Sequence, residues 1–325
     1  MGCELKETFP QDRAAFEAAD EVAPTPLGSR PADGISQTGL FSPDPRKPSE
    51  PRPEIWFRRR IGVRTAVRDL WRARELVVTL AERDLRVRYK QAVLGFAWAL
   101  FTPVMLMFVF TFVFTKFASI KTGGVPYPLF AFIGLIPWTF FSNSVTTGGM
   151  SLVSNMQIVN KVYCPREVFP VSALAVALID AVLSIVVLGV LFAIEGFAPK
   201  PETFYVPVFL PALFAFTLGI TIAFSALLVY LRDMRHVLPL LVQFALFATP
   251  VAYGVNVIAH STANILIYSA LNPLVPVIDG FRRTVLLGTD PDWDGLAVGT
   301  ASAFLVLAFS YWLFKRLEGG IADIA

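Results

Sequence analysis

Few side chains in this sequence have the type and spacing that chemistry needs. The two histidines, His236 and His260, show no His-x-x-x-His spacing and cannot supply the paired ligands of a zinc hydrolase. Cys3 and Cys164 lie in unlike settings and belong to no metal-spaced cluster, so neither a disulfide nor a metal site is assigned to them. No G-x-x-x-x-G-K-S/T loop occurs, so the chain cannot hydrolyse ATP by the usual phosphate cradle, and nucleotide-driven work would fall to a partner. The apolar runs hold no cluster of carboxylates such as a proton pump or a metal-dependent glycosyltransferase requires. Asp180 is the one carboxylate deep inside such a run, where an ionisable group is costly enough to need a role. It either touches a polar substrate or gate, or holds its helix to a neighbour through a polar side chain such as Ser172 or Ser184.

The elements that must position these groups are set by composition. Hydrophobic residues make up 55% and charged residues 16% of the chain, with a mean hydropathy of +0.59, whereas soluble proteins carry about a quarter charged residues. A net charge of +3 is too small to point to a nucleic-acid partner. Uncharged or nearly uncharged runs at 92–114, 129–153, 169–194, 204–231, 237–257 and 296–314 predict six transmembrane helices. Pro103 is placed to kink the first. Between the fifth and sixth, 264–271 and 274–287 are apolar but short and broken by Asn272-Pro273 and Pro276, which predicts external re-entrant or interfacial helices. The expected fold is therefore an all-α polytopic membrane protein, with residues 91–325 as its transmembrane domain.

Upstream, residues 1–53 are polar and Pro-rich and read as a disordered cytoplasmic tail with no apolar signal-peptide core. Residues 54–90 read as a basic amphipathic interface helix, with Val67, Leu70, Trp71, Val77, Val78, Ala81 and Leu85 opposite Arg64, Arg68, Arg72, Arg83, Arg86 and Lys90. The basic residues near the span ends favour one side: Arg83, Arg86, Arg88, Lys90, Lys161, Arg166, Arg232, Arg235, Lys315 and Arg316, against Lys116, Lys121, Lys200, Arg282 and Arg283. That bias predicts that both termini are cytoplasmic.

Between the second and third runs the chain reads Ser151-Leu152-Val153-Ser154-Asn155-Met156-Gln157-Ile158-Val159-Asn160-Lys161, then Cys164-Pro165-Arg166-Glu167-Val168-Phe169-Pro170. Pro165 suits a first helical turn and Glu167 complements the positive end of the next helix, so on residues alone this is a polar loop between spans. It also resembles the coupling loop of the ABC-2 type permeases that export polysaccharides, the O-antigen and teichoic-acid exporters. The same resemblance runs through Tyr89-Lys90-Gln91-Ala92-Val93-Leu94-Gly95, Arg232-Asp233-Met234-Arg235-His236, Thr249-Pro250-Val251-Ala252-Tyr253 and the stretch from Asn272-Pro273-Leu274 to Phe281-Arg282. It covers residues 76–317, and the tail before residue 54 is longer than the family pattern needs.

The resemblance implies a transporter permease rather than an enzyme. It also implies a multi-pass protein of the bacterial cytoplasmic (inner) membrane that works as a homodimer with two copies of an ABC ATP-binding subunit. No cofactor would sit in this chain, ATP and Mg being held by the partner. Asn155, Gln157, Asn160, Lys161, Arg166 and Glu167 would couple to the ATPase. The cargo would be a glycan on an isoprenoid diphosphate, admitted past Arg86, Arg88, Lys90, Arg232 and Arg235, whose alternative role is anchoring to lipid headgroups. With 13% aromatic residues, Trp98, Phe101, Phe108, Phe112, Trp138, Phe140, Phe141 and Tyr253 are candidates to line a channel along which sugar rings slide, or else face lipid and core. An ABC-2 permease for a small lipophilic drug or lipo-oligosaccharide shares the span pattern; the basic amphipathic helix and aromatic load favour polysaccharide. An intramembrane glycosyltransferase would need an acidic or His-rich external loop, and residues 259–294 offer carboxylates only at Asp279, Asp290, Asp292 and Asp294.

Overall fold

Helix starts and stops follow proline and asparagine punctuation. The computed structural model describes residues 68, 70–90, 97–118, 122–159, 164–257 and 261–324, and every regular element among them is a helix. The expected tail, 1–53, lies outside the described residues, as do Arg64, Val67, Asn160 and Lys161. In chain order the helices are α1 (Arg74–Lys90), α2 (Ala97–Val113), α3 (Tyr127–Ser154), α4 (Met156–Val159), α5 (Val168–Ile194), α6 (Val206–Tyr230), α7 (Met234–Ala248), α8 (Thr262–Leu271), α9 (Leu274–Arg282) and α10 (Trp293–Ile324).

Four helical segments are long and apolar enough to cross a bilayer: Tyr127–Ser154, Val168–Ile194, Pro201–Tyr230 and Trp293–Gly319, of 28, 27, 30 and 27 residues. At about 1.5 Å rise per residue each exceeds a hydrocarbon core of about 30 Å. These match the expected second, third, fourth and sixth spans closely. Helix α3 begins with proline in its first turn, where the missing N–H costs nothing, and forms the centre of the packing against α5 and α6. Helices α6 and α10 approach so closely that a Cβ on Gly219 would fall 2.9 Å from Leu307 Cα, the small-residue contact that substitutes for a hydrophobic driving force between membrane helices.

Of the two remaining expected spans, the first begins outside the described residues, and α2 continues through the turn Phe114–Ala118 to give helix over 97–118. The helix of the fifth is Met234–Ala248, 15 residues, rather than 237–257. The fifth stops early because the chain leaves the helix at Thr249-Pro250. Three of the carbonyls that follow are taken by one side chain from elsewhere, and that of Ala252 accepts from the Tyr127 hydroxyl at 2.7 Å. Arg282, 2% exposed, donates from Nε to Phe130 O (3.2 Å) and from Nη1 to Pro250 O (2.6 Å) and Tyr253 O (2.8 Å). Its Nη2 donates to Val251 O, and its guanidinium lies 3.9 Å from the centroid of the Phe130 ring.

Arg282 sits on the expected broken segment, where α8 and the stretch Leu274–Leu287 meet at 119°. Asn272 shapes that corner: Oδ1 accepts from Leu274 N at 3.1 Å and Nδ2 donates to Thr249 Oγ1 at 2.8 Å.

On and just before α1, part of the expected apolar edge is buried or half-buried, Leu70, Val77 and Ala81 among it, and Leu76 and Leu80 join it. Leu70, Ala73, Leu76, Val77 and Leu80 pack with Leu152, Val168 and Phe169, while Trp71 and Val78 are exposed. Apolar residues occupy more than one edge of this helix, and docking selected the edge carrying Leu76 and Leu80.

Replacing Arg282 by Met should destabilise the folded protein by about 1–3 kcal/mol for each carbonyl left without a donor. Arg283→Met loses only the i,i+4 pair with Asp279 and should cost about 0.5 kcal/mol or less. Thermal unfolding in detergent checks the contrast, and equal losses would contradict it.

Candidate functional site

The loop between α3 and α5 is bounded on one side by α1. Asn155 closes α3, its Nδ2 donating to Ser151 O at 2.8 Å, and its Oδ1 accepts from Arg83 Nη2 at 2.8 Å. Arg83 also pairs with Asp84 at 2.8 Å. One helical turn further along α1, Arg88 Nη1 lies 2.9 Å from Asp180 Oδ2, and the Tyr89 hydroxyl donates to Asp180 Oδ1 at 2.6 Å. Asp180 is 5% exposed. Burial first, then the neighbouring carboxylate, pushes the Tyr89 hydroxyl up to about 12, which keeps it protonated as a donor. The charge buried in the apolar run is therefore held from α1. Ser172 and Ser184, the expected partners, donate instead to backbone carbonyls, of Phe169 and of Asp180 itself.

A cavity of about 330 Å³ opens between α1, α3 and α5, lined by Arg83, Asp84, Arg88, Thr147, Ser154 and Asn155 among others. Helix α4 follows as a single turn with Gln157 exposed. The residues just before α5 turn the other way. Glu167 is 4% exposed; its Oε1 pairs with Lys315 Nζ and accepts a 3.4 Å contact from the Tyr311 hydroxyl, and its Oε2 has no partner among the described residues. Arg166 Nη1 donates to Glu318 O. Lys315 also pairs with Glu318 at 2.8 Å, and the Tyr230 hydroxyl donates to Leu317 O at 2.5 Å.

The expected coupling set thus divides. Asn155 and Gln157 lie at the loop, Arg166 and Glu167 engage the end of α10, and Asn160 and Lys161 lie outside the described residues. Of the expected phosphate-facing cations, Arg86, Arg232 and Arg235 are exposed, Arg88 is committed to Asp180, and Lys90 closes α1 with its side chain outside the description. The aromatic set divides too. Phe101, Phe108 and Phe112 on α2 are exposed, at 48%, 59% and 62%. Trp138, Phe140 and Phe141 are core: Phe140 meets Phe214 edge-on at 5.2 Å and Phe141 stacks on Phe216 at 5.4 Å. Tyr253 is half-buried, its hydroxyl donating to Phe247 O at 2.7 Å, and the side chain of Trp98 lies outside the described residues. Sequence reasoning missed Tyr89, Lys315, Tyr230 and the inward role of Arg282; for Arg282, the cost of a charge in an apolar segment was the available signal.

The described residues form helices alone, four of them in segments long and apolar enough to cross a bilayer, with a short turn in the chain between α3 and α5, which pack along their length. The sequence pattern of the ABC-2 type transporters matches residues 75–286, and the chain belongs to that family as a transporter subunit. It is 32% identical over 254 residues (78% of this chain, 96% of the relative) to the O-antigen export system permease protein RfbA of Myxococcus xanthus. It is 27% identical over 251 residues (77% and 95%) to the protein of the same name from Klebsiella pneumoniae. To the polysialic acid transport protein KpsM of Escherichia coli the identity is 25% over 219 residues (65% and 81%).

Two measurements test the interface. A double-mutant cycle of Arg88→Ala and Asp180→Ala, read by thermal unfolding, should give a coupling of about 0.5–3 kcal/mol; additive losses would contradict the pair. Burial raises the pKa of the Cys164 thiol, so less thiolate is present at neutral pH. In a Cys3→Ser background its maleimide labelling should be slower than that of a free cysteine at pH 7 and keep rising with pH above the usual thiol range.

Proposed function

We propose that this chain is the permease subunit of an ABC exporter that moves a polysaccharide such as O-antigen, carried on an isoprenoid diphosphate, across the bacterial cytoplasmic membrane. It acts as a homodimer with two copies of an ATP-binding subunit, which hold the ATP and Mg. The observation that carries the cargo is the similarity, over nearly the whole length of the relatives, to proteins named for O-antigen export. The missing phosphate loop supports a separate motor.

In this reading residues 1–53 form a cytoplasmic tail, 54–90 an interface helix and 91–325 the membrane domain, with both termini cytoplasmic. Helices α2 and α7 are the two further spans of a six-span domain. Helix α7, 15 residues long, falls about 7 Å short of the hydrocarbon thickness at about 1.5 Å per residue, and the segment 249–257 extends it; α2 continues into the turn Phe114–Ala118. The bent α8–α9 pair is the external re-entrant hairpin. Asn155, Gln157, Asn160 and Lys161 meet the ATPase. Because α4 joins α3 to α5, a push there displaces both helices, which biases the pathway between two states. Arg86, Lys90, Arg232 and Arg235 receive the diphosphate, and Arg88 joins them only on leaving Asp180. The exposed phenylalanines of α2, Phe101, Phe108 and Phe112, line the path of the glycan; Trp138, Phe140 and Phe141 back it from within the core.

Cells lacking this chain should accumulate isoprenoid-linked glycan on the cytoplasmic leaflet and lose it from the surface, as read by leaflet-specific labelling. An unaltered lipid-linked pool would overturn the reading.

A further inference from the structure

We infer that Arg166 and Glu167 are positioning residues that carry motion from the coupling loop to α10, rather than contacts for the ATPase. The inference rests on the functional reading above and gives these two residues a different task.

Glu167 is 4% exposed, so it offers a docked protein almost no surface. Its carboxylate points to Lys315 and Tyr311 on α10, and Arg166 reaches the Glu318 carbonyl of the same helix. From the third side, Tyr230 at the end of α6 donates to Leu317 O at 2.5 Å. The start of α5, the end of α6 and the end of α10 therefore meet at one polar junction, next to the loop. That junction is a needed bridge. Helix α5 packs chiefly on α3, touches α6 sparingly and barely touches α10 elsewhere among the described residues, whereas α6 and α10 pack along their length.

The junction can hold and release. Lys315 is shared between Glu167 and Glu318, the latter at 2.8 Å, so its ammonium keeps a partner if Glu167 moves away. Glu167 is gripped through Oε1 alone, and its Oε2 is buried without a partner among the described residues. A buried acceptor left unsatisfied is costly, which favours a second arrangement in which that oxygen is paired. A side-chain contact with two arrangements at a helix junction is the kind of element through which a displacement at one site biases another.

The test uses the full transporter complex reconstituted in vesicles, with ATP hydrolysis and glycan export measured together. Glu167→Gln and Lys315→Met should leave ATP turnover near that of the parent while export per ATP falls about tenfold or more, and Glu167→Lys with Lys315→Glu should recover most of it. Tyr230→Phe, which removes a single hydroxyl and spares folding, should lower export per ATP in the same direction. A role in stability alone would lower both rates together with the amount of complex, and that result, or a full export yield in Tyr230→Phe and Glu167→Gln, overturns the inference. If the parent chain neither binds nor stimulates its ATP-binding subunit, the functional reading fails and takes the inference with it; a parent that is stimulated but variants that stay fully coupled sink the inference alone.

Discussion

Backbone groups that leave a helix inside an apolar protein must find partners there, because hydrocarbon supplies none. The chain leaves its helix at Thr249-Pro250 and turns through Val251, Ala252 and Tyr253, and this turn exists because Arg282 supplies the missing donors. The same guanidinium reaches Phe130 O near the start of α3, so one cation joins the re-entrant hairpin, the end of α7 and the central helix. Gly134 keeps that space open, since a Cβ there would lie 2.7 Å from Arg282 Nη2. Charge and backbone satisfy each other, and a carboxylate partner is not needed: Asp279 is engaged by Arg283 at 2.6 Å.

A second buried charge is handled in the opposite way. A carboxylate buried among the valines and leucines of α5 needs partners, and α1 brings Asp180 a guanidinium and a phenol hydroxyl. Helix α1 is thereby fixed to α5, while Arg83 fixes it to Asn155 at the loop. Arg88 is thus a held cation, which an anion arriving at the membrane surface would have to win from Asp180. Exposed arginines such as Arg86 and Arg232 face no such competitor of comparable burial.

The family relationship and the packing fit one account of how the chain works. Helices α3 and α5 pack along their length, and the single turn α4 lies between them in the chain. The polar junction of Arg166, Glu167, Tyr230 and Lys315 links the start of α5 to the ends of α6 and α10, whose close contact at Gly219 leaves little room for independent motion.

By itself the sequence determined the membrane class, the bounds of four long spans to within a few residues, the break at Asn272-Pro273 and the family. Each of these follows from a run of apolar residues, a proline without an N–H, or a local string such as Arg232-Asp233-Met234-Arg235-His236. Tertiary structure decided the rest. It chose Arg88 and Tyr89 over Ser172 and Ser184 as partners for Asp180, turned Glu167 inward to Lys315, placed Trp138, Phe140 and Phe141 in the core, and ended α7 short of the apolar run that predicted it. The physical reason is the same in every case. Hydropathy along a chain records how much a segment gains by leaving water, whereas a hydrogen bond or ion pair between residues 92 or 148 positions apart depends on which helices come to lie side by side.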